Sequence, residues 1–364
     1  MKTRVDHLVV GAGAVGLAIA ARLAKRGSTV VIDRHPAFGR ETSSRNSGVI
    51  HAGLHYPADS LKATLCIGGM RLLYEVCGKH TIPHARIGKW IVADSQGLSK
   101  LIAIHERACQ LGVTTTLLTR NQRLMEPLIK CDEALESPET GIISSHHLMA
   151  YFENSIVKDE GIPLYNTEII SCEAICDGFS VVVKTGNEYF TIETPIVINA
   201  AGLSSGKVAA MFLNDAQLKG YKLHFAKGNY YSLKSSASLV KRLIYPVPDK
   251  HTTSLGVHLT LDLAGRIKFG PDLNYLPEGD DLNYRFTGDS KQFVKAISIY
   301  FPSIREEDLI EDYCGIRPKL QGPDDAFRDF HIENHNGFVN LLGIESPGLT
   351  SCMAIAALVE ERLY

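Results

Sequence analysis

A chain of 364 residues with a net charge of -2 and a pI near 6.7 exceeds the usual size of one hydrophobic core, so two domains are expected. Its Lys and Arg are spread along the chain instead of blocked, which argues against a nucleic-acid partner. The eight cysteines form no C-x-x-C pair and read as reduced, mostly buried thiols of an intracellular protein, and no uncharged apolar run outside the glycine-bearing start is long enough to cross a membrane.

The apolar run 5–10 suits a buried strand, 15–24 has helical composition closed by Lys25, Arg26 and Gly27, and 29–32 reads as a second strand. Between the first strand and the helix lie Gly11, Gly13 and Gly16, with Ala14 and Val15 among them. Gly11 permits a tight bend, Gly13 lets backbone approach a pyrophosphate, and Gly16 lets the helix pack close to the strand, so that diphosphate charge meets the helix N-terminus. Asp33 ends the second strand 17 residues after Gly16 (33 minus 16), near the spacing expected of the carboxylate that hydrogen-bonds a ribose hydroxyl, and Arg34 follows it. A lone G-x-G-x-x-G would be weak evidence, but strand, helix, second strand and acid in order point to a dinucleotide cradle. The glycines, and the strand so soon after Met1, argue against a secretory signal.

Residues 60–77 carry Leu61, Leu65, Met70, Leu73 and Val76 at a mostly helical spacing that ends at Gly78, and 87–93 reads as a strand. A helix over 98–112 would place Leu98, Leu101, Ile102, His105, Ala108 and Cys109 on one face, with His105 packing in the core. The runs 179–184 and 189–192 flank Thr185-Gly186-Asn187-Glu188 as a hairpin, and 196–202 is a buried strand entering the small-residue turn Ala200-Ala201-Gly202. From 221 to 300, aromatics, short strand-like runs and Pro246, Pro248, Pro271 and Pro277 suggest a separate, mainly β module. A last buried strand over 338–343 leads into a final helix over 352–363. The nucleotide module is therefore interrupted and completed by the C-terminus. We assign 1–80, 141–215 and 312–364 to it, and 81–140 with 216–311 to a mainly antiparallel β substrate domain, giving an interleaved α/β fold. No metal is expected: His146 and His147 would diverge on a strand, His331 and His335 bracket a loop-like stretch without a third ligand, and Cys172 and Cys176 lie in strand-like surroundings.

Longer matches narrow the reading. The glycine fingerprint, Asn199-Ala200-Ala201-Gly202, Gly315-Ile316-Arg317-Pro318 and the Gly348 turn before the last helix resemble the D-amino-acid-oxidase-like superfamily of FAD-dependent oxidoreductases. Within it, Asn46-Ser47-Gly48-Val49-Ile50-His51-Ala52-Gly53, Tyr56, Ser60-Leu61-Lys62-Ala63, Tyr245-Pro246-Val247-Pro248 and Gly256-Val257-His258-Leu259-Thr260 resemble the L-2-hydroxyglutarate dehydrogenases or oxidases, over nearly the whole chain. The resemblance implies FAD, a Rossmann-like domain of the glutathione-reductase type, and a substrate domain covering the flavin. It implies oxidation of a 2-hydroxy acid, with the electron acceptor (oxygen, a quinone or a carrier) left open. A secondary-amine or amino-acid oxidase of the glycine or sarcosine oxidase type is the alternative. It further implies that Ser43, Ser44, Arg45, Asn46, Ser47 and Gly48 run along the flavin. With the strand starting at residue 5 and no transit sequence visible, a bacterial-type cytoplasmic enzyme is expected, and peripheral contact with the inner membrane stays open.

Oxidising an alcohol beside a carboxylate needs a hydride acceptor, a base and a cation. FAD supplies the first. His51 is the leading base, since imidazole titrates near neutral pH and Gly48 and Gly53 allow close backbone approach; His258 is the runner-up, or a residue that orients substrate. Arg317 can grip a carboxylate with two parallel hydrogen bonds, and its neighbour Gly315 belongs to the same step. Lys227 and Lys319, with Tyr245 as a hydroxyl donor, are the candidates for a second carboxylate. The stretch Pro347-Gly348-Leu349-Thr350 offers a helix N-terminus to the flavin pyrimidine, with ordinary capping by Thr350 or Ser351 as the competing reading.

Overall fold

A computed structural model describes residues 2–234, 239–247 and 256–364; Met1 and the expected motif residue Pro248 lie outside them. The centre is a six-stranded sheet in the order Ile162–Leu164, Thr29–Ile32, His7–Val10, Ile196–Asn199, Phe338–Leu342, His331–His335. Its first five strands are mutually parallel and the sixth is antiparallel. Alternation along these strands sorts the two faces. Val9, Val31, Ile198, Val339 and Leu341 point to a core shared with the helices, while Leu8, Val10, Val30, Val197 and Phe338 point to the opposite core. On the first side pack the helices Ala14–Leu23, Leu61–His80, Ser145–Lys158 and Gly348–Leu363. On the second lies a four-stranded sheet built from Thr167–Ile175, Gly178–Thr185, Glu188–Thr194 and a strand not expected from sequence, Lys2–Arg4. The first strand is thus paired with one nearly two hundred residues away, through Lys2 opposite Thr191.

The other large sheet joins Lys89–Ala93 and Glu133–Ser137 to His224–Leu233, Leu243–Pro246, Leu259–Leu261, Ile267–Phe269 and Leu309–Lys319. Its core holds Trp90, Tyr245, Phe269, Phe293 and Tyr300. Leu309–Lys319 crosses the domain boundary placed at 311/312 and pairs with His224–Leu233, Arg317 opposite Ala226. This strand also touches the nucleotide side. A Cβ at Gly315 would meet the Arg45 carbonyl oxygen at 2.2 Å, so glycine is required for the approach. Thr42 Oγ1 donates to the Ile316 carbonyl at 3.1 Å and the Tyr313 hydroxyl to the Asn46 carbonyl at 2.7 Å.

Several local expectations are corrected. The second helix runs through Gly78 to His80 and is closed by Thr81 in the left-handed region, because a side chain at 78 would meet nothing and glycine there signals no turn. On the helix Leu98–Gln110 the buried residues are Leu101, Ile104 and Ala108, whereas Leu98, Ile102 and Cys109 are exposed; His105 is half-buried and bonds Thr115 Oγ1 through Nδ1 at 2.7 Å. His146 and His147 lie in the first turn of the helix Ser145–Lys158, whose N-cap is Ser144. His331 to His335 is a strand, and its period of two brings the Glu333 carboxylate to 3.4 and 3.2 Å from the two imidazoles. The last helix begins at Gly348, four residues earlier than its apolar pattern suggests.

Candidate active site

One cavity of about 680 Å³, within the usual range of ligand sites, collects most of the expected residues. At one end Gly11, Gly13, Ala14, Val15 and Gly16 line it beside Asp33, Arg34, Ser43, Arg45, Asn46 and Ser47; further along stand Ala200, Ala201, Gly202, Gly315, Pro347, Gly348, Leu349 and Thr350. His51, Tyr245, His258, Arg317 and Lys319 line it as well. Three expected residues do not. Ser44 is exposed, Gly48 shapes the turn closed by Asn46 Oδ1, which accepts from the Gly48 N–H at 2.8 Å, and Lys227 is buried with its ammonium donating to the Arg285 carbonyl at 3.2 Å.

The glycine end fits a dinucleotide. Gly13, at the N-cap of Ala14–Leu23, has no side chain to offer the helix. Ser43 Oγ accepts from the Ala14 N–H at 2.9 Å, and the amides of Val15 and Gly16 remain at the cavity wall, where a phosphate would find donors and the positive end of the helix. A Cβ on Gly16 would meet the Gly11 carbonyl oxygen at 2.0 Å, which is why the helix can start so close to the strand. Asp33 Oδ2 accepts from the Ala12 N–H at 2.8 Å and Oδ1 from the His35 N–H at 2.9 Å, so the carboxylate is fixed at the strand end with lone pairs left for a ribose.

A second helix N-terminus opens into the same cavity. Pro347 provides no side-chain cap to Gly348–Leu363, and neither expected hydroxyl serves as one. Thr350 Oγ1 instead accepts from the His51 N–H at 3.0 Å and donates to the Val49 carbonyl at 3.2 Å, while buried Ser351 Oγ has no partner among the described residues. Thr350 therefore ties the His51 segment to the last helix. The Gly348 N–H donates to the Glu345 carbonyl, and the amides of Leu349 and Thr350, left without a backbone acceptor, favour negative charge on whatever group they meet.

Around His51 the environment is basic. Burial, then the nearby Lys89 ammonium, lower the His51 pKa to about 3, so the imidazole is neutral at neutral pH and can accept a proton. Tyr245 meets His51 edge-on at 6.5 Å between ring centroids and stacks face to face on His258 at 3.7 Å. On the far side, the Tyr230 hydroxyl, hydrogen-bonded to Arg317 and Ser47, is pushed up by burial. Lys319 Nζ and Lys62 Nζ share Glu345 Oε1 at 2.7 and 3.1 Å, all three side chains being buried. Burial alone would raise the Glu345 pKa, but the two ammonium groups outweigh it and hold the carboxyl below its ordinary value. Glu345, Lys62, His55, Tyr56, Tyr230 and Arg107 line the cavity, with Lys89 directly behind; none was among the expected site residues. Lys89 did leave a signal in sequence, as a lone charge in the apolar strand 87–93.

A largely parallel sheet with glycine cradle, terminal acid and a second helix end facing one cavity defines a dinucleotide-binding protein. The family described as FAD dependent oxidoreductase matches residues 6–362, and the chain belongs to it; FAD is its cofactor. The mitochondrial L-2-hydroxyglutarate dehydrogenase of Arabidopsis thaliana is 37% identical, over 98% of this chain and 82% of its own length. The L-2-hydroxyglutarate dehydrogenase of Indibacter alkaliphilus is 28% identical over 97% of both. Among solved structures, FAD-bound L-alpha-glycerophosphate oxidase from Mycoplasma pneumoniae superposes with a TM-score of 0.85 at 24% identity, covering 99% of this chain and 94% of that one. Glycine oxidase from Geobacillus kaustophilus gives 0.80 at 19%, with the same coverage. These last two share the fold.

Proposed function

We propose that this protein oxidises L-2-hydroxyglutarate to 2-oxoglutarate. The observation that carries the reading is one cavity in which a neutral imidazole, His51, and a guanidinium, Arg317, open beside a helix N-terminus that has no side-chain cap. The two full-length relatives named for this substrate support it. The cofactor would be held by the Gly11–Gly16 turn, Asp33, the residues Thr42, Ser43, Arg45, Asn46 and Ser47, the turn at Ala200–Gly202 and the amides of Leu349 and Thr350. FAD, when bound, accepts two electrons and a proton's worth of hydrogen as hydride from the α-carbon.

The chain supplies the rest. Arg317 binds the carboxylate next to the alcohol, its planar fork fixing the α-hydrogen's direction. His51 takes the hydroxyl proton on a ring nitrogen, and Tyr245 and His258, stacked together, wall the pocket. Of the cations once expected at the second carboxylate, Lys319 is matched by Glu345 and Lys227 is turned away. Among the described residues no helix is long and apolar enough to cross a membrane. The cysteines, all free, suit a reducing compartment, and the cytoplasm is our assignment.

The test is anaerobic. The FAD-loaded protein is mixed with L-2-hydroxyglutarate, its D-enantiomer, glycine, sarcosine and D-amino acids, and flavin bleaching is followed. Rapid bleaching by the L-hydroxy acid is expected. Bleaching by amines alone would replace this reading with that of an amine oxidase.

A further inference from the structure

The cations in and beside the cavity are not equivalent. Lys62 and Lys319 share the Glu345 carboxylate, and Lys227 is satisfied by the Arg285 carbonyl and Asn283. Lys89 is different. Only 1% exposed, it lies 3.2 Å from His55 Nε2 and 4.8 Å from the centre of the Tyr245 ring, and no described carboxylate is paired with it. Arg107, in the last turn of Leu98–Gln110, lines the cavity near His55, again without a described carboxylate.

An ammonium can only donate, so Nε2 of His55 accepts, and the neutral ring must carry its proton on Nδ1. Burial and the surrounding charges, Lys89 first, keep that ring neutral. His55 lines the cavity, and its Nδ1 has no partner among the described residues. The cavity thus has two basic poles. Tyr245 stands between them, with Lys89 over its ring and Arg317 close enough to act on its hydroxyl. Buried positive charge without a counter-ion is costly, and a ligand anion would relieve it.

We propose that Arg107 and the Nδ1–H of His55 form a second anion subsite, which takes the distal carboxylate of a dicarboxylate while Arg317 holds the one beside the reacting carbon. Lys89 is a positioning residue, fixing the His55 tautomer from behind. The assignment rests on the proposed reading for which carboxylate goes where, but the subsite itself needs only a dicarboxylate ligand.

The experiment is a titration of FAD-loaded enzyme with glutarate and with pentanoate, its monocarboxylate analogue, followed by perturbation of the flavin absorption. The wild type binds glutarate more tightly. Arg107→Leu, His55→Phe and Lys89→Met each reduce that preference at least about tenfold, the worth of a hydrogen bond to a charged group. His55→Asn, whose amide can stand in for the Nδ1–H, retains most of it, and adding Lys89→Met to His55→Asn brings no further loss. Retained flavin spectra in each variant show that the fold survives. No preference in the wild type, or a preference unchanged in Arg107→Leu and His55→Phe, overturns the subsite; Lys89→Met acting fully in the His55→Asn background overturns the positioning role. If the enzyme prefers glutarate yet fails to oxidise L-2-hydroxyglutarate, the reaction assignment falls and the subsite stands.

Discussion

His51 meets two demands that pull apart: a base must attract a proton, yet this one sits where a positive charge is poorly tolerated. Its folded pKa of about 3 lies below the ordinary 6.5, so between those values the unfolded chain binds the proton that the folded chain refuses. The contribution to stability is complete above pH 6.5 and declines as pH falls toward 3. The melting temperature of the FAD-loaded protein should therefore drop on acidification from pH 7 to 5, and drop less in His51→Asn. The same variant should lose about 10²- to 10⁴-fold in kcat while keeping its flavin, because only proton transfer is removed. Arg317 fails differently. Arg317→Met should raise KM for the 2-hydroxy acid by about 10- to 100-fold, the scale of one charge-assisted hydrogen bond, and Arg317→Lys should recover only part, since a point charge cannot make the two parallel bonds. Steady-state kinetics on both variants check this.

At the level of elements, what could be read from sequence was what depends on near neighbours. The strand–turn–helix at 7–23, the strand Thr29–Ile32 and the hairpin around Gly186 stand where the apolar period and the glycines place them, because each is settled within about ten residues. The misreadings differ in cause. Gly78 sits exposed inside a helix, where nothing approaches it and glycine costs only local propensity, whereas the run from Ile332 to Asn334 is paired in a strand because its partner strand outweighs local preference. The edge strand Lys2–Arg4 exists through a partner at 191–193 that no local pattern announces. For the nucleotide turn the local logic is strict enough to predict from. Gly16→Ala would drive a methyl into the Gly11 carbonyl, and backbone must move to admit it. The purified variant should carry little flavin, read as a lowered ratio of 450 to 280 nm absorbance with near-normal far-ultraviolet circular dichroism.

The molecule as a whole is held across its sequence by Glu345. Lys62 comes from the second helix, Lys319 from the end of the long strand of the other sheet, and Glu345 from the turn before the last helix, so one carboxylate joins both layers of the cavity. Sequence could flag each residue only as a charge; that the three meet is a property of the assembled fold, as is the proximity of Lys89, His55 and Arg107. Glu345→Gln leaves two ammonium groups facing each other in a buried site, and removing one member of such a set costs about 3–5 kcal/mol. The denaturant midpoint should fall accordingly, with the slope unchanged if the native state stays compact. Replacing the set together, as Lys62→Met, Lys319→Met and Glu345→Leu, should recover much of the loss, because no charge is then left stranded. The wild-type pH dependence follows from the lowered carboxyl pKa: this stabilisation is present above the ordinary value of 4.5 and is lost as pH falls through the folded one. Unlike the His51 contribution, which fades from pH 6.5 downward, it persists to pH 4.5. The two should therefore separate in one acid series, with Glu345→Gln flattening only its lower part.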